Sequence, residues 1–314
     1  MNKDSDSVKV AIVQSGAVYF DLGASLEKAK RLIKDAACQG AELVVFGETW
    51  FSGYPAWLDY CPDVGVWDSE PTKEAFLQMY NSSITVPGKE TKTICSLAMK
   101  HNLTIVMGVN EVVASGTGNG TIYNTLLTFN NEGEIVNHHR KLMPTFTEKL
   151  VYGIGDGHGL NAVDTPFGRL GSLICWEHWM PLARQAMHSS NEHVHVAVWP
   201  TAHDAHQLAS RHYAFEGRCF VIAVGQMMSM KDLPPQLALP EPNDKPEEWL
   251  LRGGSSIIGP YGNYILEPQF DKDGIIIHEI TGLDRVVKER MTLDVSGHYS
   301  RNDIFNFSVN KERK

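Results

Sequence analysis

The 314-residue chain is 43% hydrophobic and 21% charged, with a formal net charge of -9; this is the profile of a soluble globular protein, and the acidic balance excludes a nucleic-acid backbone as a natural partner. Residues 1–7 lack the apolar core of a signal peptide, and no stretch is apolar for long enough to cross a bilayer, so a cytoplasmic protein with no membrane partner is expected. The five cysteines (Cys38, Cys61, Cys95, Cys175 and Cys219) contain no Cys-x-x-Cys pair, which excludes a zinc ribbon and argues against a disulfide framework.

Strand and helix signals alternate along the chain. A strand is predicted over 9–14 and a helix over 24–38. The helix carries an apolar stripe of Leu26, Ala29, Leu32, Ile33, Ala36 and Ala37, with Gly40 as its terminator. The run 43–46 is too short and too β-branched for a buried helix and reads as a strand. A helix over 91–101 and a strand over 103–113 follow. Then the pattern changes, because 121–129 and 134–139 flank the turn Asn130-Asn131-Glu132-Gly133 as a hairpin. Strands over 171–175, 194–199 and 220–226 alternate with helices over 181–188 and 205–217. A second hairpin joins 255–259 to 263–266 around Pro260-Tyr261-Gly262. A strand over 274–280 and a helix over 283–291 end the series. The acidic, proline-rich segment 232–248 reads as a long surface loop, and the polar tail after Gly297 as a cover for a neighbouring surface. The class is therefore α/β with antiparallel pairs mixed in, which two sheets, each covered by helices on one face, would satisfy. One domain over 1–314 is expected, with its core at about 8–305.

Three apolar runs stop on groups suited to covalent chemistry. Glu48 follows Leu43-Val44-Val45-Phe46 and precedes Trp50, Phe51, Tyr54 and Trp57, surroundings that desolvate a carboxylate and make it a better proton acceptor. Its bland alternative is a strand-end acid paired with an arginine. Lys141 ends His138-His139-Arg140-Lys141, which taken alone reads more often as a solvated strand edge than as a fixed cation for a reacting atom. Cys175 ends Gly171-Ser172-Leu173-Ile174 just before a helix start. With Glu48 as base and Lys141 holding it as thiolate, it becomes a nucleophile, and the Trp176 N–H and Lys141 form a pair of anion-stabilising donors. His193, His195, His203, Asp204 and His206 offer a metal site on paper, but they lack compact ligand spacing and read better as loop contacts. A Cys175–His178 dyad ranks below the three-residue set. No phosphate-binding glycine motif follows a strand.

Phe46-Gly47-Glu48-Thr49-Trp50-Phe51-Ser52-Gly53-Tyr54-Pro55, His139-Arg140-Lys141-Leu142-Met143-Pro144-Thr145 and Cys175-Trp176-Glu177 occur in one order. Together they resemble the nitrilase superfamily of carbon–nitrogen hydrolases, over a span from Val8 to about Phe305. Arg211-His212-Tyr213-Ala214-Phe215-Glu216-Gly217 and Gly297-His298-Tyr299-Ser300-Arg301 look like its nitrilase branch. The resemblance implies an α-β-β-α sandwich with two mixed sheets, a homodimer or higher homo-oligomer paired through helices, and no metal or organic cofactor. It implies catalytic Glu48, Lys141 and Cys175, with Glu148 in a supporting role. His178 stands where many nitrilases have asparagine, and it is expected to shape the pocket. Tyr54, Trp57, Trp176 and Trp199 are expected to form an apolar substrate wall favouring aryl or alkyl nitriles. The implied reaction converts a small nitrile to a carboxylic acid and ammonia through a Cys175 thioimidate and thioester. An amidase and a cyanide hydratase or dihydratase share this chemistry, and a non-catalytic metal-binding protein is the rival of another class.

Overall fold

A computed structural model describes residues 6–238 and 249–313. The first sheet has six strands: β1 (Ser7–Gln14), β2 (Leu43–Phe46), β3 (Thr104–Val112), β4 (Ile122–Phe129), β5 (Ile135–Arg140) and, last in the chain, β13 (Gly274–Thr281). Their order is β13-β1-β2-β3-β4-β5, parallel for β1-β2-β3 and antiparallel elsewhere. The second sheet has seven strands: β6 (Val163–Thr165), β7 (Gly168–Ile174), β8 (Val194–Val198), β9 (Phe220–Val224), β10 (Met227–Ser229), β11 (Trp249–Ile258) and β12 (Tyr264–Phe270). There β7-β8-β9 are parallel, while β6, β10, β11 and β12 pair antiparallel.

The side-chain alternation of a strand decides the layering. In β1, Val8, Val10 and Ile12 join the core that contains Leu170, Val194 and Val196 of the second sheet. Ala11 and Val13 turn the other way, to α1 (Leu22–Cys38) and α4 (Lys89–His101). The far face of the second sheet is covered by α5 (Pro181–His188) and α6 (Asp204–Gly217), whose Ala186, Met187, Ala209 and Tyr213 are buried in the first of these cores. The result is the expected α-β-β-α sandwich with two mixed sheets.

Helices α2 (Trp57–Tyr60) and α3 (Glu70–Asn81) were not predicted. Helix α3 carries a short apolar stripe of Ala75, Phe76, Met79 and Tyr80, which the sequence reading passed over. Strand β11 starts earlier than the predicted hairpin arm, because its first half pairs with β10. The predicted last helix contracts to α7 (Arg285–Arg290). Of the predicted loop 232–248, the stretch 239–248 lies outside the described residues, as do 1–5 of the predicted leaderless N-terminus. In the tail, Arg313 Nη2 donates to the His138 carbonyl at 2.6 Å and pairs with Asp156, whereas Arg301 and Asp303, in the stretch expected to cover a neighbouring surface, are exposed and pair with each other. Among the described residues no helix is long and apolar enough to cross a membrane.

Candidate active site

Three strand ends meet at one place. Glu48 lies two residues past β2, Lys141 directly follows β5, and Cys175 directly follows β7. The first two come from one sheet and the thiol from the other, so the face-to-face stacking of the sheets is what assembles them. Glycines make the close approach possible. A Cβ on Gly108 of β3 would collide with the backbone of Gly47 and Thr49, and one on Gly155 with the carbonyls of Arg140 and Lys141.

Lys141 Nζ donates to Glu48 Oε1 at 2.8 Å and to both oxygens of Glu148 at 2.9 and 2.7 Å. All three side chains are almost fully buried. Asn124 Nδ2 donates to Glu48 Oε1 at 2.8 Å, Tyr54 OH to Glu148 Oε1 at 3.2 Å, and the Thr145 N–H to Glu148 Oε2 at 2.6 Å. Gln226 Nε2 donates to the Glu48 carbonyl. The second oxygen of Glu48 has no hydrogen-bond partner among the described residues and is free to accept a proton.

The electrostatics follow from two carboxylates sharing one ammonium. Burial, opposed by Lys141 but reinforced by Glu148, pushes the Glu48 carboxyl up to about 7. Burial alone would lower Lys141, yet Glu48, Cys175 and Glu148 together hold it well above the usual amine range, so it stays charged. Burial and Glu48 raise the Cys175 thiol, and the opposing pull of Lys141 and the Trp176 N–H does not overcome them. The expectation that Lys141 holds a resting thiolate is therefore overturned: a thiolate would add charge to a site already carrying excess carboxylate. The sulfur must lose its proton as it attacks, and Glu48 is the neighbouring base poised near neutrality.

The thiol sits on a sharp turn. Cys175 has a φ of 52°, in the left-handed region, and opens the 3-10 helix Cys175–Trp179. Glu177 secures this turn to the lysine's strand end. Its carboxylate accepts from the Leu142 N–H at 2.7 Å, the Ile174 N–H at 2.7 Å and His139 Nε2 at 2.9 Å. One buried acid thus ties the residue after Lys141 to the residue before Cys175. Glu177→Ala strands both N–H groups in the interior and is expected to cost about 3–5 kcal/mol. Chemical denaturation checks this, and a loss below about 1 kcal/mol, the scale of an exposed pair, would contradict it.

A cavity of 280 Å³ opens onto the thiol. Cys175, Glu148, Tyr54 and Trp176 line it with Asp59, Tyr60, Thr145, Phe146, Thr147, Pro200, Thr201, His203, His206 and Leu251. Tyr54 and Trp176 are thus where the sequence reading put them. The other three expected wall residues are not. Trp57 is buried in the cluster around Tyr54, Leu58 and Tyr152 and faces a different cavity. Trp199 is buried in the core and stacks on His206 at 4.6 Å. His178 is buried against His195, Trp199 and Tyr213. The wall is also mixed rather than apolar, since Asp59, three threonines and two histidines contribute. Asn124, Gln226, Glu177 and Asp59 escaped the sequence reading. For Asn124 a signal existed, an amide in the middle of a strand with apolar neighbours, which needs a partner when buried.

The histidines considered for a metal have other partners. His195 faces Glu192 and His178, His193 Nδ1 accepts from the Arg169 N–H, and His206 Nδ1 meets the Thr201 carbonyl. Among the described residues no group of three or more His, Cys, Asp or Glu could hold a metal ion.

A family model described as carbon-nitrogen hydrolase matches residues 9–286. The chain belongs to the carbon-nitrogen hydrolase family. It is 38% identical to Nitrilase 2 of Arabidopsis thaliana over 314 residues, covering 99% of this chain and 91% of that one. It is 37% identical to an aliphatic nitrilase of Sinorhizobium fredii (strain HH103) over 308 residues, covering 98% and 96%. In fold it is similar to the crystal structure of Saccharomyces cerevisiae Nit3, a member of branch 10 of the nitrilase superfamily. That match has a TM-score of 0.68 at 20% identity, covering 94% of this chain and 97% of the other. Family membership makes this chain a hydrolase acting on carbon–nitrogen bonds.

Proposed function

We propose that the chain is a nitrilase that converts an organic nitrile and two waters to a carboxylic acid and ammonia. The observation that carries this reading is the buried Lys141 bridging Glu48 and Glu148 beside a thiol that opens on a cavity. Glu48 takes the thiol proton as Cys175 sulfur attacks the nitrile carbon. A sulfur lone pair forms the new S–C bond, one π pair of the nitrile moves onto the nitrogen, and the nitrogen takes the proton from Glu48 to give a thioimidate. Lys141 and the Trp176 N–H stabilise the nitrogen anion as it forms. Water, deprotonated by Glu48 and oriented by Glu148, adds to the thioimidate, and ammonia leaves to give a thioester. A second water releases the acid and returns the proton to sulfur.

If Glu48 is the base, kcat/KM falls as pH drops through about 7, because protonation of a carboxylate raised to that value removes the acceptor. A rate profile flat down to pH 5, in the ordinary carboxylate direction, would contradict the assignment.

The same acyl-enzyme chemistry serves amides and cyanide. The names of the relatives favour nitriles, and ammonia release from nitrile, amide and cyanide panels, with acid and amide products counted separately, decides among them. Retained activity after chelation removes the metal-binding rival. The proposal includes one domain over the chain, a cytoplasmic location and a homodimer or larger assembly. The exposed Leu182, Leu208 and Phe215 on the outer α5–α6 layer support pairing there. Light scattering that returns the mass of one chain would exclude it.

A further inference from the structure

Behind the thiol lies a chain of buried polar groups that the reaction above does not use. His178 Nδ1 is 2.7 Å from the Cys175 carbonyl oxygen, and its Nε2 is 3.0 Å from His195 Nε2. His195 Nδ1 is 2.5 Å from Glu192 Oε2, and Tyr213 OH donates to Glu192 Oε1 at 2.6 Å. The four side chains are essentially inaccessible to water. Packing fixes the rings as well: His195 stacks on Tyr213 at 3.9 Å, and His178 lies 4.8 Å from Trp199.

The donors in this chain can be assigned by elimination. A carbonyl oxygen only accepts, so His178 Nδ1 carries its proton. Burial, then His195, pushes His178 well below the ordinary imidazole range, so its ring is neutral and Nε2 accepts. Glu192 is held below the usual carboxylate range, because His195 and His188 outweigh the effect of burial. As a carboxylate it accepts, so His195 Nδ1 donates to it. The charged neighbours include His188, with Nδ1 3.7 Å from Glu192, Arg290, which donates to the Glu192 carbonyl at 2.6 Å, and the Arg184–Glu216 pair, whose arginine also donates to the His178 carbonyl at 3.1 Å.

The consequence lies in the peptide plane. The carbonyl of Cys175 and the N–H of Trp176 belong to one planar trans unit, so holding one fixes the direction of the other. That N–H meets the Cys175 sulfur. We propose that His178 is a positioning residue: anchored through His195 to Glu192, it grips the Cys175 carbonyl and thereby aims the Trp176 N–H at the atom that becomes negative during attack. This rests on the role given above to that N–H. It also implies that asparagine could serve at this position. The side-chain nitrogen of asparagine and Nδ1 of histidine are both bonded to the γ carbon, so either presents an N–H at the same place.

The test compares His178→Ala and His178→Asn in the full chain. A mis-aimed donor is expected to lower kcat by about 10–100-fold in His178→Ala, less than the loss on deleting such a donor outright, with KM within about twofold. His178→Asn is expected to recover kcat to within about threefold, since it keeps the N–H. The aldehyde matching the best nitrile adds a second readout. The thiol adds across its C=O, forming an S–C bond and an oxyanion that Glu48 protonates, so its affinity falls in step with kcat while substrate KM does not. Equal kcat for His178→Ala and wild type, or His178→Asn as slow as His178→Ala at an unchanged melting temperature, overturns the proposal. Should His178→Ala not fold, nitrogen NMR of the wild type, assigned with His178→Asn, reads the same point. One neutral Nδ1–H ring is expected at position 178, and an Nε2–H tautomer there overturns it. Failure of the wild-type protein to form any Cys175 adduct would instead sink the covalent nitrilase reading itself.

Discussion

Cys175→Ala is expected to lower nitrile turnover by about 10⁴–10⁶-fold, the scale on which removal of a covalent nucleophile is felt. The remaining groups bind and polarise a nitrile but have nothing to form the thioimidate with. The thiol is buried and small, and alanine keeps the packing of its β carbon, so the fold should survive with a stability change of about 1 kcal/mol. Loss of turnover at a nearly unchanged melting temperature is therefore the signature of a chemical role. Turnover within about tenfold of wild type would mean that another group attacks, since no nucleophile loss is that mild.

Lys141→Ala is expected to fail on both counts. Catalysis loses the cation beside the developing anion, a loss of about 10²–10³-fold at the least. Stability loses the only ion-pair partner, among the described residues, of two buried carboxylates, Glu48 and Glu148, at a cost of about 3–5 kcal/mol. The sign of the pH dependence is specific. The pKa of Lys141 is raised by folding, so its contribution is complete below the unfolded amine value and is lost only as pH rises through the folded one. The deficit of the variant should thus be full at neutral pH. It should shrink in acid, where the two stranded carboxyls can take up protons. Denaturation curves at pH 5 and pH 8 check this, and an equal deficit at both would contradict the bridging role.

The candidate groups Glu48, Lys141 and Cys175 were legible in the sequence because each stands at the end of a strand, where a charged or nucleophilic group has few structural uses. The sandwich was legible from the alternation of Val8, Val10 and Ile12 with Ala11 and Val13, and from hairpins that a parallel sheet does not need. The pocket wall was not. Trp199 follows β8 as closely as Trp176 follows β7, yet packs inward, as does Trp57 at the start of α2; an aromatic residue near a strand end suits a core and a cavity equally, and only the packing of its neighbours decides. His178 was misplaced for a related reason. Its partners His195, Glu192 and Tyr213 come from β8, the turn before it and α6, which no local pattern joins. The ionisation of Cys175 was misread because one lysine was weighed without the burial of the thiol and the charge of Glu48, which together outweigh it.

The most direct measurement is the intact mass of the protein, quenched in acid during turnover of an aromatic nitrile, followed by peptide mapping. The account predicts a thioimidate or thioester mass on Cys175 that appears before product and is absent in Cys175→Ala. Steady turnover with an unmodified Cys175 peptide, or an adduct mapped to Cys61, Cys95 or Cys219, would contradict it.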